Sequence, residues 1–118
     1  MEVFIMEKKE LQPVKDFNQD KFTKRILFKS GESVVFVLNF MPGQELPTHQ
    51  HPGTALFILV LDGSGTVTVN GEESVLVKDD VISCEGDEHF SFKNTGITPT
   101  SLYVVLSKIP NEKYAQDI

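Results

Sequence analysis

The sequence predicts an all-β domain, a barrel or sandwich of short strands. Two observations point there. Its apolar residues come with a period of two, or in short runs rich in Val, Ile, Phe and Thr, types that suit a pleated surface better than a helix. Turn signals built on Gly, Asn and Asp separate nearly all of these runs.

The elements follow in chain order. Pro13 opens a short helical turn over 13–20. Residues 25–28 make a first strand, and the Ser30-Gly31-Glu32 turn leads into a long apolar strand at 34–40. Residues 55–61 do not alternate, so that strand is expected to be buried on both faces. Asp62-Gly63-Ser64-Gly65 turns the chain into 66–69, where Thr66-Val67-Thr68-Val69 alternates as in a sheet with one wet face. Asn70-Gly71 suits the positive φ of a tight hairpin and leads to a strand at 74–77. Strands at 81–84, 90–92 and 101–106 complete the set, with Asn94-Thr95-Gly96 before the last. After Pro110, residues 111–116 form a second short turn or fray. The weak symmetry about Asn70 is that of two Greek keys in one jelly roll.

At 118 residues this is one domain, 1–118. Hydrophobic residues at 40% and charged residues at 24% exclude global disorder. Acids outnumber bases 17 to 11, a formal charge of −6, which argues against nucleic acid or an anionic membrane as partner. The longest fully apolar run, 55–61, falls far short of the ~20 residues a spanning helix needs. The first residues lack a basic segment and a long apolar core, so no secretory signal is expected. A single cysteine, Cys84, fits a reducing compartment, and a cytoplasmic location is expected.

Chemistry is concentrated in three histidines, His49, His51 and His89. Two lie in Pro47-Thr48-His49-Gln50-His51-Pro52-Gly53. Residues two apart on an extended chain project to one side, so His49 and His51 can converge. A closed antiparallel barrel can bring His89 opposite them. Three neutral imidazoles on one side of a divalent cation leave positions for water or substrate, the pattern of a catalytic site. The plainer reading is three surface histidines in loops.

Gly43-x5-His49-x-His51 followed by Gly63 resembles the first motif of the cupin superfamily. Gly86-Asp87-Glu88-His89 resembles the core of its second. Between them, strand, Asp-Gly turn, strand, Asn-Gly turn and Asp79-Asp80-Val81-Ile82 follow the cupin layout, and the likeness runs over about 25–107. It implies a cupin-type double-stranded β-helix, a jelly-roll barrel with short irregular or helical ends. It also implies that His49, His51 and His89 bind one divalent transition metal, Fe, Ni, Mn or Zn. The family's usual glutamate ligand is replaced by Leu56. The usual proline of the second motif is Cys84 or Glu85, its opening glycine is Lys78 or Asp79, and its closing asparagine is Asn94, one position late. A three-histidine site without a carboxylate is similar to that of some iron-using cupin dioxygenases. An enzyme acting on a small organic molecule is implied, by dioxygen chemistry with iron or by isomerisation or hydrolysis with the other metals. The alternative is a non-catalytic barrel that binds a small ligand, its metal structural or absent.

Other groups are weighed the same way. Gln44 and Glu45 read as a solvated loop. Glu85, Asp87 and Glu88 are candidate partners of His89 or a solvated turn. Cys84 reads as a small buried hydrophobe rather than a reactive thiol, since Glu85 beside it disfavours the thiolate. Strand parity pairs His89 with Ser91 toward the cavity and sends Phe90 and Phe92 to the other face. Tyr103 reads as a sheet aromatic rather than a pocket group. Open sheet edges suggest a homodimer, with Val3-Phe4-Ile5 as a pairing segment.

Overall fold

The computed structural model describes residues 5–109 and 112–118. Nine strands make two antiparallel sheets: β1 (Thr23–Ser30), β2 (Ser33–Phe40), β3 (Glu45–His49), β4 (Ala55–Asp62), β5 (Ser64–Val69), β6 (Glu72–Val77), β7 (Val81–Glu85), β8 (Phe90–Lys93) and β9 (Thr100–Ser107). One sheet has five strands in the order β1-β2-β9-β4-β7, and the other has four, β3-β8-β5-β6. This is the expected jelly roll, with single 3-10 turns at Gln12–Val14 and Glu112–Ala115. The first turn is shorter than the 13–20 expected. Asn111 of the expected second turn lies outside the described residues, as do Val3 and Phe4.

Hairpin chemistry holds as the sequence suggests. β5 and β6 are joined by Asn70 (φ 51°) and Gly71 (φ 83°), both in the left-handed region that a type I′ turn requires. The crossing from β4 to β5 is a single residue, Gly63, where a Cβ would run into Thr100 and the Pro99 carbonyl. The chain therefore changes sheets there only with glycine.

The two sheets enclose one core, which includes Val34, Phe36, Leu38, Phe40, Leu102, Val104 and Leu106 from the β2–β9 pair. The β4 strand corrects an expectation. Leu56, Ile58 and Val60 are buried, while Phe57 is 47% exposed, so the strand is buried on one face only. Its outer residues are apolar because they form a groove with Val81, Tyr103 and Val105. The segment Glu45–His49, whose start reads as loop in the sequence, is a strand throughout. It holds Pro47 because its pairing with β8 is broken between Leu46 and His49, so the missing N–H costs no ladder bond.

Candidate functional site

The site lies where β3 runs out. Beyond His49 the chain loops through His51 back to β4, and Gly86 pins that loop. The His51 N–H donates to the Gly86 carbonyl (2.7 Å) and the Gly86 N–H donates to the Thr54 carbonyl (2.6 Å). A Cβ at position 86 would collide with the carbonyl oxygens of His51 and Thr54. The glycine of the second motif thus holds the histidine loop of the first.

The His49 and His51 rings meet edge to face, 4.6 Å between centroids. His49 Nδ1 lies 2.8 Å from the Pro47 carbonyl, which only accepts, so Nδ1 carries a proton and donates to it. Among the described residues, His51 Nδ1 is the buried side-chain atom left without a hydrogen-bond partner. Burial, then the neighbouring His49 and Lys24, push the His51 pKa down to about 4, so its imidazole is neutral near pH 7.

Both rings open into a cavity of about 390 Å³. Its walls are mainly apolar and include Phe22, Phe36, Leu38, Leu46 and Leu106. The C-terminal segment closes one side. The Tyr114 ring packs edge-on against His51 at 4.8 Å, and Ile118 exchanges backbone hydrogen bonds with Lys24 in both directions, at 2.8 and 3.0 Å. Lys24 is 7% exposed and lines the same cavity. Its ammonium donates to the Tyr114 carbonyl (2.8 Å) and sits 4.4 Å from the centre of the Phe36 ring. Burial lowers its pKa, and the charge of Asp117 partly opposes this.

The structure brings His49 and His51 together and leaves His89 outside. His89 is exposed and does not line the cavity; its N–H donates to Asn70 Oδ1 at 2.9 Å. Phe90 takes the place beside His49, its register partner, with rings 5.8 Å apart. The expected parity of this strand is therefore reversed. Phe90 and Phe92, 4% and 1% exposed, point into the core. Burying a phenyl ring contributes about 1.5–3 kcal/mol, and two rings two residues apart outweigh one imidazole that water solvates readily. Leu56, at the usual glutamate position, is buried as hydrocarbon. Among the described residues no group of three His, Cys, Asp or Glu side chains is placed to hold a metal ion. His49 and His51 offer two imidazoles, one short of the three-histidine set among the described residues.

The remaining groups take structural roles. Gln44 accepts from the Met41 N–H and donates to the Asn18 carbonyl, closing its own turn. Glu88 accepts from the Glu85 N–H and the Asn70 amide. Cys84 is buried opposite Leu56, and burial followed by the charge of Glu88 raises its thiol pKa, the reverse of a reactive cysteine. Tyr103 lies in the outer groove, away from the cavity. Sequence reasoning does not reach Lys24 or Tyr114. For Lys24 a signal exists: Phe22 just before β1 and Ile26 within it lie two residues to either side, a lysine between alternating apolar residues.

Comparison with known proteins gives these features a family. The Cupin domain model matches residues 36–106, more than half of the chain. The chain belongs to the cupin domain family. It is 31% identical over 64 residues to 5-nitrosalicylic acid 1,2-dioxygenase of Bradyrhizobium sp, covering 54% of this chain and 30% of that protein. It is 26% identical over 72 residues to tetracenomycin polyketide synthase protein TcmJ of Streptomyces glaucescens, covering 61% and 48%. The chain thus spans less than half the length of either relative. Among solved structures, TT1209 from Thermus thermophilus superposes with a TM-score of 0.84 at 27% identity, covering 89% of this chain and all of that one. This cupin chain shares its barrel with TT1209.

Proposed function

We propose that this cupin binds a small organic molecule in the cavity beside His49 and His51. One observation carries the reading: His51, whose buried Nδ1 has no hydrogen-bond partner among the described residues, lines a mostly apolar cavity together with His49. Leaving a buried polar atom unpaired costs about 1–3 kcal/mol, so a ligand that hydrogen-bonds there binds with that penalty relieved. With His49 Nδ1 tied to the Pro47 carbonyl, its Nε2 is the ring nitrogen left for a ligand. A cavity of about 390 Å³ is at the small end of the usual ligand range. Likeness over part of a dioxygenase of an aromatic acid supports a small organic ligand.

The test is a library of small aromatic fragments followed by NMR of the imidazole resonances. Fragments that bind should shift His49 and His51 and leave His89 unmoved, and His51→Ala should abolish the effect. If no fragment moves the His49 or His51 signals, the reading fails.

Metal binding through His49, His51 and His89 is a separate reading, favoured by the same unpartnered nitrogen. It requires the His89 side chain to come in from the surface. Elemental analysis of untagged protein decides it. The ligand-binding reading expects no stoichiometric metal. About one equivalent of Fe, Ni, Mn or Zn, lost in both His51→Ala and His89→Ala, would establish the metal reading and the dioxygenase-like or isomerase-like chemistry that goes with it.

We also propose that the protein forms a homodimer through the outer face of β4, β7 and β9. Phe57 and Val81, 47% and 72% exposed, lie there beside the edge of β7 that no described strand pairs, apolar surface that a second copy would cover. Light scattering should give twice the 13.2 kDa chain mass, and Val81→Lys should halve it. A wild-type monomer would refute the pairing. The lone buried thiol of Cys84 supports the cytoplasmic location expected from the sequence.

A further inference from the structure

We propose that Lys24 is the anion anchor of the cavity, and that the ligand class is an organic carboxylate with an apolar body. This rests on the small-ligand reading above and names the chemistry of the ligand.

Lys24 is buried, and Asp117 is the carboxylate whose charge acts on it. Lys24 is 7% exposed, and it lines the cavity together with Phe22 and its register partner Leu38. A buried ammonium normally has a carboxylate against it, because desolvating a lone charge is expensive. Among the described residues none pairs with Lys24. Asp117, the charge that influences it, is committed elsewhere: its Oδ1 accepts from the Ile26 N–H at 2.9 Å and its Oδ2 lies 4.0 Å from the Arg25 guanidinium. Lys24 Nζ has three N–H donors and one hydrogen-bonded acceptor, the neutral carbonyl of Tyr114. The face of the Phe36 ring supports the cation from below without neutralising it.

The rest of the cavity describes the other end of the ligand. Leu38, Leu46, Leu106 and Phe22 offer hydrocarbon, and His49 and His51 offer hydrogen bonds. A carboxylate on Lys24, an aromatic or branched body on the apolar walls and a polar group toward the histidines satisfies all three. A ligand carboxylate would also complete the charge balance of Lys24, holding it protonated, and would add a charge-assisted bond stronger than one between neutral groups. A purely structural lysine, tying down the Tyr114 turn, would not discriminate among ligands by charge.

The experiment sets acids against their neutral amides: benzoate, 3-phenylpropanoate and octanoate against benzamide, 3-phenylpropanamide and octanamide. Binding is followed by NMR of the histidine rings and of Lys24 Cε. Wild type should bind at least one acid tenfold or more tightly than its amide. Lys24→Met keeps the length of the side chain, and should erase that preference, weakening the acid at least tenfold more than its amide. Lys24→Arg should restore part of it. Thermal melting of each variant confirms folding. Equal binding of acid and amide by wild type would overturn the anchor while leaving the ligand pocket standing. Equal loss of acid and amide in folded Lys24→Met would assign Lys24 to holding the tail instead, and also overturn it. Binding of neither series, with no shift at His49 or His51, would bring down the pocket and the anchor together.

Discussion

Two histidine-bearing segments, 47–53 and 86–89, are tied to each other by backbone hydrogen bonds, yet their imidazoles end in different media. In the first segment, His49 and His51 turn into the cavity. In the second, His89 stays in water while its neighbour Phe90 enters the core. The chain at Gly86 is close enough to His51 for a 2.7 Å hydrogen bond, so proximity of backbone does not separate them. Strand parity does. Where β8 begins, one position decides which of two adjacent side chains is inside, and apolar area outweighs a polar ring.

That contrast can be broken by mutation, and the largest effect is expected at Phe90. Phe90→Ala should lose about 3–5 kcal/mol of stability, read by chemical denaturation, as a fully buried aromatic ring does. A loss below that of His89→Ala would mean that His89, not Phe90, is the inward residue. Next comes Gly86→Ala. Its Cβ meets backbone oxygens that cannot swing away, so about 3 kcal/mol of destabilisation is expected, with shifts of the His51 resonances in the folded fraction. Unchanged stability would show that the loop is not pinned.

The pH dependence sharpens the same comparison. In the folded protein His51 takes its proton near pH 4, whereas in the unfolded chain it does so near 6.5. Between those values the unfolded state binds more protons at this group, so stability is full above about pH 6.5 and falls as the pH drops toward 4. His51→Gln should flatten that part of the profile relative to wild type, as measured by melting temperature against pH. A parallel profile would place His51 in water. The smallest effect belongs to His89→Ala. An exposed side chain away from special contacts should change stability by less than about 0.5 kcal/mol.

Much of the barrel is legible in the residues. The β-branched run before Phe40, the Asn70-Gly71 turn and the glycine at 63 each force one local geometry, and the structure has all three. β3 is hidden because Glu45, Pro47 and Thr48 look like loop chemistry, and only its partner β8 makes it a strand. The pairing of His49 with His51 follows from spacing on extended chain. The placement of His89 does not, because the motif leaves two adjacent residues competing for one inward position. Asn94 holds the clue: it is buried and bonded to the Phe40 and Thr98 carbonyls, and counting back from it by the family's spacing lands on Phe90. Lys24 escapes notice because a lone lysine in a strand ordinarily reads as solvent-facing.

The two backbone bonds between Ile118 and Lys24 also set a clock. The segment that closes the cavity is held to β1 by those two bonds, by Asp117 Oδ1 accepting from the Ile26 N–H and by Arg25 donating to the Ile118 carbonyl, and it is joined by the Lys24–Tyr114 bond and the Tyr114–His51 ring contact. A terminal segment so held still opens more often than the barrel unfolds. A molecule leaving the cavity on that side would wait for that opening. Its departure rate would then follow the rate of tail release and not its own affinity, so ligands of unequal strength would leave with similar half-lives.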